Sequence, residues 1–428
     1  MLFIDMAKGF SLCYLEQGFK LMFDLECLIH SIDEHAAIRR RRRLQPAGGV
    51  GDKIFPPTYP GARNNDPPQH VFELRRVPDR VDPVACVLID SVQSQANRAE
   101  DALQYAADEQ AFDLPRIVVD FAGAGLTDLG RISSLDAPHR VFDAILRDSL
   151  LDGVTFMKSD LGKRLQLAKT TDATAIFEAS PTALLFGVWN STGEGGGLGA
   201  KFPRCLVSEI WGIDAPVETN ERGVVQTAGR RTGSRIDPLG ILRKTGDYIV
   251  KSEDGWSFKA EPSAKDKKQR PSEINHGNIA PSVQALGVTV AYVEQVSVLS
   301  FAGLRRLRFG DAARTQAARA VIAALGLLAL LERDRQGFAL RSRCDLVGDG
   351  PAPFELVNAD GAAEALDVDL AGARALYGSA VEAARAAGFT YAAAPIVLQP
   401  QVKLVELVEK SRELALAGAG GEGEESSE

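Results

Sequence analysis

The sequence predicts an α+β fold, in which helices and strands follow one another irregularly along the chain. Short apolar or alternating runs at 84–89, 117–121 and 338–347 indicate strands. Longer runs with apolar residues three and four positions apart, at 90–106 and 312–332, indicate helices. Because these segments show no regular β–α–β rhythm, a doubly wound parallel sheet is disfavoured.

The remaining elements follow from the same periodicities and from capping signals. A first helix is indicated by the apolar spacing that begins after Met22, and Asp136 followed by Pro138 has the pattern of a helix start. Further helices are predicted at residues 161–169, 173–179, 300–309, 369–387 and 401–415. Further strands are predicted at 182–189, directly after Pro181, and at 206–210, 287–299 and 395–398. Residues 62–82 are predicted to form a loop.

The composition is that of a globular protein with a large core. The chain has 428 residues, of which 45% are hydrophobic and 25% are charged. Removing the four Glu of the last twelve residues from the formal net charge of −8 leaves −4 for the rest. Cations are clustered within this mildly acidic chain, which fits a confined polyanion site, although solvated surface charge accounts for some clusters as well.

Three parts of the chain differ in composition. Residues 1–21 are predicted to be an extension in front of a natural start at Met22. Residues 22–412 are predicted to form the folded domain, with a basic insertion at 214–272 that forms a long hairpin or a mobile loop. Residues 413–428 are predicted to be a disordered acidic tail.

Several features indicate a cytoplasmic protein without bound metal. The five cysteines form no CxxC pair, and the five histidines are scattered, so a structural zinc site is not expected. Free thiols fit a reducing cytoplasm. The longest apolar run, 320–331, predicts a buried helix, because it is too short to span a membrane. The N-terminus lacks the pattern of a signal peptide.

The glycine-rich stretch 193–210 is the strongest candidate site. It places five glycines and two cations, Lys201 and Arg204, ahead of a predicted strand. Glycines let backbone N–H groups approach a ligand closely, and the cations indicate that this ligand is anionic. Lys201 is followed by Phe202 rather than by Ser or Thr, so a nucleotide-triphosphate loop and an ATPase are disfavoured. A phosphate or sugar contact and a flexible loop between strands remain the alternatives.

Other polar segments extend this candidate site. If the arginines at 39–43 lie in an extended segment, Arg39, Arg41 and Arg43 share one side. Four polar residues are predicted near helix starts, where anions are favoured: Asn97, Arg98, His139 and Arg140. The other candidates lie in turns, in a glycine-rich loop or in a basic helix: Lys53, Asn275, His276, Arg305 and Arg306. Three aromatic residues near the cations are candidates for stacking on bases: Phe55, Tyr59 and Phe202.

Six segments together resemble one protein family. In chain order they are RLQPAGGVGDKIFPPTYP (43–60), LIDSVQSQANRAEDAL (88–103), LDAPHRVFDAILRDS (135–149), SPTALLFGVWNSTGEGGGLGAKFPR (180–204), SEINHGNIAPS (272–282) and LRSRCDLV (340–347). They resemble the RAMP-superfamily backbone subunit of type I-U (also called I-G) CRISPR effector complexes. The resemblance extends over about residues 22–411, whereas the first 21 residues and the acidic tail depart from it.

The resemblance implies a ferredoxin-like, RRM-type palm with inserted finger and thumb elements. It also implies that many copies assemble along one CRISPR RNA in the cytoplasm and hold it for pairing with target DNA in antiviral defence. The implied partners are further copies of the chain, the large subunit and other RAMP subunits, with no membrane, no cofactor and no metal. Type I relatives do not cut nucleic acid, so catalytic residues are not expected.

Two functions are therefore open at this point. The first is a non-catalytic RNA-binding subunit whose predicted RNA contacts are Arg41, Arg43, Lys53, Asn97, Arg98, His139, Arg140, Lys201, Arg204, Asn275, His276, Arg305 and Arg306. The second is an RNA endonuclease that uses His139 or His276 as its general base.

Overall fold

The computed structural model describes residues 23–61, 68–78, 80–190, 199–219, 225–226, 230–231, 236–252, 255–277, 283–284 and 286–418. The predicted extension 1–21, residues 193–198 of the glycine-rich stretch and the tail from residue 419 onward lie outside the described residues.

The chain divides into two compact units. The described parts of Met1–Val50, Ile89–Trp211 and Tyr292–Leu404 form the first unit. The described parts of Gly51–Leu88, Gly212–Ala291 and Val405–Glu428 form the second.

The helices belong mainly to the first unit. In chain order they are Leu25–Glu34 (α1), Val92–Asp108 (α2), Ala144–Arg147 (α3), Asp160–Leu167 (α4), Thr174–Ala179 (α5), Pro181–Phe186 (α6), Phe301–Arg305 (α7), Ala312–Gln336 (α8), Leu370–Ala386 (α9) and Val402–Gly418 (α10). Short 3-10 helices cover Ala122–Ala124, Arg140–Phe142, Phe156–Lys158, Arg243–Asp247 and Pro271–Ile274.

The strands are short, and most are antiparallel to their neighbours. The first half of the chain contains Ala37–Pro46 (β1), Phe72–Arg75 (β2), Val84–Asp90 (β3), Ile117–Asp120 (β4), Arg131–Ser133 (β5), Ser149–Leu151 (β6), Val154–Thr155 (β7), Val188–Trp189 (β8), Lys201–Phe202 (β9) and Leu206–Ile213 (β10). The second half contains Glu218–Thr219 (β11), Val225–Gln226 (β12), Arg230–Arg231 (β13), Ile249–Ser252 (β14), Gly255–Phe258 (β15), Val283–Gln284 (β16), Tyr292–Ser300 (β17), Phe338–Arg341 (β18), Cys344–Gly348 (β19), Phe354–Val357 (β20), Ala363–Leu366 (β21) and Ile396–Pro400 (β22).

The arginine-rich strand β1 is a central strand of the largest sheet in the first unit. The strand order there is β18, β19, β1, β17 and β10. β1 pairs antiparallel with β17, from Ala37 opposite Ser300 to Leu44 opposite Val293. Its other edge pairs with β20 and then with β19, and β20 also pairs with β21. The backbone of β1 pairs with β17 along one edge and with β20 and β19 at the two ends of the other edge, so its arginines meet a ligand mainly through their side chains.

The helix α8 forms the centre of the core in this unit. It is buried without interruption from Ala317 to Leu330 and packs against α1, α2, α6 and α9. A Cβ atom at Gly326 would lie 3.1 Å from Leu299 of β17, so glycine allows the helix to approach the sheet closely. By length and composition α8 could span a membrane, but 89% of its most apolar window is buried inside the protein, as expected of a core helix.

A second sheet of five strands completes the first unit. Its order is β5, β4, β22, β6 and β7. β22 runs parallel to β4, while the other neighbours are antiparallel. Strand β22, near the end of the chain, therefore lies between β4 and β6 and joins them into one sheet.

The second unit is built from small two-stranded pieces. β2 and β3 form a hairpin in which Phe72 lies opposite Val87. The N–H of Gly287 donates to Nε2 of His70 at 2.8 Å, which ties two distant segments of this unit together. β14 and β15 form a further hairpin, from Ile249 opposite Phe258 to Ser252 opposite Gly255.

The structure confirms the α+β class and most of the predicted elements. The helices predicted at 90–106, 312–332 and 369–387 are α2, α8 and α9. Ser91 is the N-cap of α2, since its Oγ accepts the N–H of Ser94. α10 continues to Gly418, so residues 413–418 of the predicted tail are helical.

The segment behind Pro181 is a correction. The sequence predicts one strand over 182–189, but Pro181–Phe186 is helix α6 and only Val188–Trp189 is extended. Every residue of α6 is buried, so the run has no polar face from which helix and strand can be distinguished. Pro181 occupies the first turn, and Gly187, with a φ of 82°, ends the helix.

Two other strand predictions and one loop prediction are also corrected. The predicted strand 338–347 is a tight hairpin of β18 and β19, which reverses at Arg343 with a φ of 59°. The predicted loop 62–82 contains β2, a short strand in which apolar and polar residues alternate over only the four positions FELR. The long strand predicted over 287–299 begins only at Tyr292.

Candidate nucleic-acid interface

The five arginines of β1 are divided between the two faces of the sheet, as the period of a strand requires. Arg40 and Arg42 share a face with the buried Ile38 and Leu44. The opposite face carries the other three: Arg39, Arg41 and Arg43. The predicted alternation is therefore confirmed.

The two arginines of the inner face share one carboxylate. Arg40 hydrogen-bonds to Asp334 of α8, and Nη1 of Arg42 lies 2.8 Å from the same carboxylate. Arg333 is only 2% exposed and donates to Asp334 at 3.1 Å. Burial lowers the pKa of Arg42 and of Arg333, whereas Asp334 raises both. Three cations around one carboxylate hold the sheet to α8, and their charge is engaged by Asp334 rather than left for an RNA backbone.

The arginines of the outer face are accessible and only weakly paired. Nη2 of Arg41 donates to Glu294 at 2.7 Å, and Arg39 pairs with a glutamate of β20. The guanidinium of Arg43 lies 4.3 Å from the ring centroid of Tyr292. Exposed ion pairs of this kind contribute only about 0–1 kcal/mol, so a phosphate can replace the carboxylate at little cost.

The glycine-rich stretch is bounded by a small hairpin of β8 and β9. Trp189 lies opposite Lys201, and the N–H of Asn190 donates to the carbonyl of Ala200 at 2.8 Å. The Trp189 ring is 48% exposed, and Nζ of Lys201 lies 4.9 Å from its centroid. An exposed indole beside an exposed ammonium group offers one surface for a base and one charge for a phosphate.

A buried ion pair supports the base of this hairpin. Nε and Nη2 of Arg140 each donate to Glu100 at 2.6 Å, and Nη1 donates to the carbonyl of Gly187 at 2.9 Å. A Cβ atom at Gly187 would lie 3.0 Å from the backbone N of Arg204, so glycine lets the chain after β9 pass closely. Arg204 itself is exposed and lies next to Gly187. The structure thus brings Lys201, Arg204 and the residues around Arg140 together.

Burial dominates the electrostatics of this cluster. It raises the pKa of Glu100 to about 7, although the two hydrogen bonds from Arg140 lower it. Partial burial and the charge of Arg140 lower the pKa of Arg204. Arg204 therefore lies close to the positive charge of Arg140, which Glu100 balances only in part. An anionic ligand at Arg204 would be favoured.

The geometry corrects the prediction for Arg140. The sequence predicts a helix capped by Asp136, with Arg140 in its first turn, but Asp136 instead accepts the N–H of Ser133 at 2.8 Å. The α-helix begins after Asp143, whose Oδ1 accepts the N–H of Ile145. Arg140 has a φ of 50° and a buried side chain, so it supports the hairpin from below rather than reaching the surface.

Two further arginines predicted to contact RNA have protein partners. Nε of Arg98 donates to the buried carboxylate of Asp90 at 3.0 Å, and Nη2 donates to the carbonyl of Leu340 at 2.7 Å. Nη1 of Arg305 donates to carbonyl oxygens at the end of α1, the shortest at 2.6 Å. Three other predicted contacts in this unit are exposed: Asn97, His139 and Arg306.

The other predicted contacts lie in the second unit. Lys53 is partly buried, and burial lowers its pKa. Asn275 is exposed and adopts the left-handed conformation with a φ of 58°. The ring of His276 meets the ring of Trp256 edge-on, with centroids 6.2 Å apart.

Two aromatic side chains differ from the sequence prediction. Phe202 was a candidate for stacking on bases, but it is only 2% exposed and packs inside the protein. Trp189, which the sequence analysis did not select, is the exposed ring of the hairpin. Trp189 is identified as a candidate for stacking by its position opposite Lys201 in the hairpin. This register depends on a pairing across the glycine-rich segment. Among the described residues, no cluster of His, Cys, Asp and Glu has the arrangement of a metal site.

The close packing at Gly199 gives a first testable prediction. A Cβ atom there would lie 2.4 Å from the carbonyl oxygen of Asn190, so Gly199→Ala is expected to lower the free energy of unfolding by about 1–3 kcal/mol. Gly378→Ala in α9 is the control, because its Cβ meets open space and alanine there is expected to stabilise the helix. Urea denaturation of both variants measures the difference. Equal stability of the two variants would contradict the close packing of this hairpin.

Comparison with models of known protein families gives a match over part of the chain. Residues 38–217 match the family model described as CRISPR-associated protein GSU0053 (Cas_GSU0053). A search of curated proteins found no match to the chain. The matched segment includes β1, α2 and the β8–β9 hairpin, and the mixed α+β sheet is compatible with the RRM-like palm of CRISPR-associated proteins. Over this segment the chain is similar to a CRISPR-associated protein family.

Proposed function

We propose that the protein is a non-catalytic, RNA-binding backbone subunit of a type I-U (I-G) CRISPR effector complex. Copies of the chain assemble along one CRISPR RNA in the cytoplasm and present it for pairing with target DNA in antiviral defence. The large subunit and other RAMP subunits are the expected partners. The similarity of residues 38–217 to a CRISPR-associated family supports the general assignment.

One observation carries the RNA-binding role. The β8–β9 hairpin holds Trp189 and Lys201 side by side at the surface, with Arg204 exposed next to it. An aromatic face combined with cations is the arrangement that binds a single-stranded backbone without reading its sequence. The outer-face arginines Arg41 and Arg43 are further candidates for phosphate contact.

The mechanism follows from what such contacts can do. Cations hold the phosphates, and the guide bases are kept ordered and available for pairing, so that less conformational entropy is lost when the target strand hybridises. Sequence recognition is left to base pairing, as in other RNA-guided complexes. Nothing favours the alternative of an RNA endonuclease that uses His139 or His276.

The direct test is to co-express the protein with a CRISPR array, purify it and separate the extracted nucleic acid on a denaturing gel. We expect a discrete RNA that matches the array and elutes with a large oligomer. A monomer that stays free of RNA even after its partner subunits are supplied would contradict the proposal.

The hairpin cations provide a quantitative test. Lys201→Ala combined with Arg204→Ala is expected to weaken RNA binding and to reduce its dependence on salt. Each lost phosphate contact on a single strand lowers the slope of log K against log salt by about 0.7. Fluorescence anisotropy with a labelled single-stranded RNA over a series of salt concentrations measures this slope.

A matched control separates this site from the general charge of the protein. Lys163→Ala combined with Arg164→Ala removes the same two charges from the exposed surface of α4. This control is expected to leave the slope close to that of the wild type. An unchanged slope in the hairpin variant would remove Lys201 and Arg204 from the RNA-binding surface.

A further inference from the structure

The second unit exposes a group of large apolar side chains that its fold does not use. Ile236, Leu239 and Leu242 are exposed, as are the rings of Tyr248, Trp256 and Phe258. Aliphatic residues exposed singly are ordinary on a protein surface, whereas a group of exposed aromatic rings marks a binding surface. The three aromatic residues are concentrated in and beside the β14–β15 hairpin.

This hairpin is extended by a third segment into a small antiparallel sheet. The N–H of Lys251 donates to the carbonyl of Lys267 at 2.9 Å, and the N–H of Gln269 donates to the carbonyl of Ile249 at 2.9 Å. Val250 and Lys268 form the bridge between these two bonds. Residues 267–269 therefore pair with the edge of β14 that β15 leaves open.

The register places aromatic and basic side chains on one face. Trp256 lies opposite Lys251, and Lys251 lies opposite Lys267, so these three form one row across the sheet. Phe258 is two residues from Trp256 and belongs to the same face. The ring of Tyr248 stacks on Phe258, with centroids 5.7 Å apart and an angle of 25°. Trp256 is 45% exposed and Phe258 is 64% exposed.

The charges on this face indicate an anionic ligand. Two exposed lysines directly opposite each other repel, which destabilises an empty sheet. Lys265 and Lys268 are exposed nearby, whereas Lys259 is paired with Asp266 at 2.5 Å. Among the described residues 236–252 and 255–277, exposed cations outnumber the exposed acids, which are Asp247, Glu261 and Glu273.

We propose that this face, formed by Lys251, Trp256, Phe258 and Lys267, binds unpaired bases of a single-stranded nucleic acid. The rings of Trp256 and Phe258 stack on the bases, and the two lysines contact the adjoining phosphates. The choice of ligand class rests on the proposed function. The site is separate from the β8–β9 hairpin in sequence and belongs to the second unit.

The test uses the full chain and a fluorescein-labelled single-stranded oligouridylate. Trp256→Ala combined with Phe258→Ala is expected to lower its affinity by about tenfold for each stacked ring. Leu239→Ala combined with Leu242→Ala is the control, because it removes exposed apolar surface of the same unit outside the sheet. The control is expected to bind like the wild type. Equal affinity of the ring variant and the wild type would overturn the proposal.

An abasic probe tests whether the rings act by stacking. A deoxyribose-phosphate chain of equal length has the charges but lacks the bases, so the wild type and the ring variant are expected to bind it equally. A loss of the same size on the abasic probe would mean that the substitutions act through the fold, and this would overturn base stacking. Self-association that depends on the rings, with unchanged oligouridylate binding, would assign the face to a second copy of the chain instead.

The outcome can be separated from that of the proposed function. If the co-expressed protein carries no CRISPR RNA even when its partner subunits are supplied, the subunit assignment fails, but ring-dependent binding of oligouridylate still supports the base-binding face. If CRISPR RNA co-purifies equally with the wild type and with the ring variant, and oligouridylate binding is also unchanged, only the present inference fails.

Discussion

Replacing Glu100 by alanine is expected to lower the free energy of unfolding by about 3–5 kcal/mol. Glu100 is 1% exposed and accepts two hydrogen bonds from Arg140, whose guanidinium is also buried. Without the carboxylate, the guanidinium keeps only the carbonyl of Gly187 as a hydrogen-bond partner among the described residues. A buried charge that has lost its counter-ion is among the most destabilising defects that a single substitution can produce.

Two further variants define the cause. Glu109→Ala, at the end of the same helix, removes an exposed carboxylate that lies 3.7 Å from Arg335, and it is expected to change stability by less than about 1 kcal/mol. Glu100→Leu combined with Arg140→Met replaces the pair by apolar groups and is expected to recover most of the loss. Urea denaturation of all four proteins gives the comparison. A double variant as unstable as Glu100→Ala would show that the loss does not come from the unbalanced charge.

The pair also affects the proposed RNA surface. Arg140 holds the carbonyl of Gly187 at the start of the hairpin that carries Lys201 and Trp189. Burial raises the pKa of Glu100 to about 7, so the ion pair is kept at a cost in desolvation. Such a cost fits a pair whose role is to position a binding hairpin. RNA binding by the Glu100→Leu, Arg140→Met variant tests this role, because that variant is expected to recover stability without the hydrogen bond to Gly187.

The second large effect is expected at Asp334. Asp334→Asn removes the one carboxylate that Arg40, Arg42 and Arg333 share on the inner face of β1. The amide keeps the size of the side chain but not its charge, so the buried Arg333 and the half-buried Arg40 and Arg42 are left side by side without a counter-ion. We expect the free energy of unfolding to fall by about 3–5 kcal/mol, measured by urea denaturation.

The outer face of the same strand provides the control. Glu294→Gln removes the partner of Arg41, which is exposed, and it is expected to cost less than about 1 kcal/mol. In a further variant, Arg40→Met and Arg42→Met added to Asp334→Asn relieve the repulsion and are expected to restore part of the stability. Losses of equal size at Asp334 and Glu294 would contradict the division of β1 into a structural face and an accessible face.

Much of the fold could be predicted from local patterns. Helical spacing and an N-cap residue locate α2 and α9, because backbone N–H groups at a helix start need an acceptor close in sequence. The alternation of the arginines in β1 follows from the period of a strand alone. The glycines and cations around Lys201 also identify the hairpin region before its geometry is known.

The predictions that were wrong share one physical cause. The run at Pro181–Phe186 is buried on every side, and an apolar run without a polar face fits a helix and a strand equally well. The alternation in β2 covers only four residues, too few to distinguish a strand from a loop, and its pairing with β3 is what makes it a strand. In each case contacts with other elements decided the conformation, and these contacts are not encoded in a short window.

The sequence by itself determined the fold class, the positions of the long helices, which arginines share a face and which loop carries glycines and cations. Only the tertiary structure decided which of those cations are accessible. Arg40 and Arg42 are neutralised by Asp334, almost three hundred residues away in the chain. Arg140 is buried against Glu100, whereas Lys201 stays at the surface beside Trp189. Periodicity shows which side chains point the same way, but the packing of distant elements decides which face is covered and which remains open to a ligand.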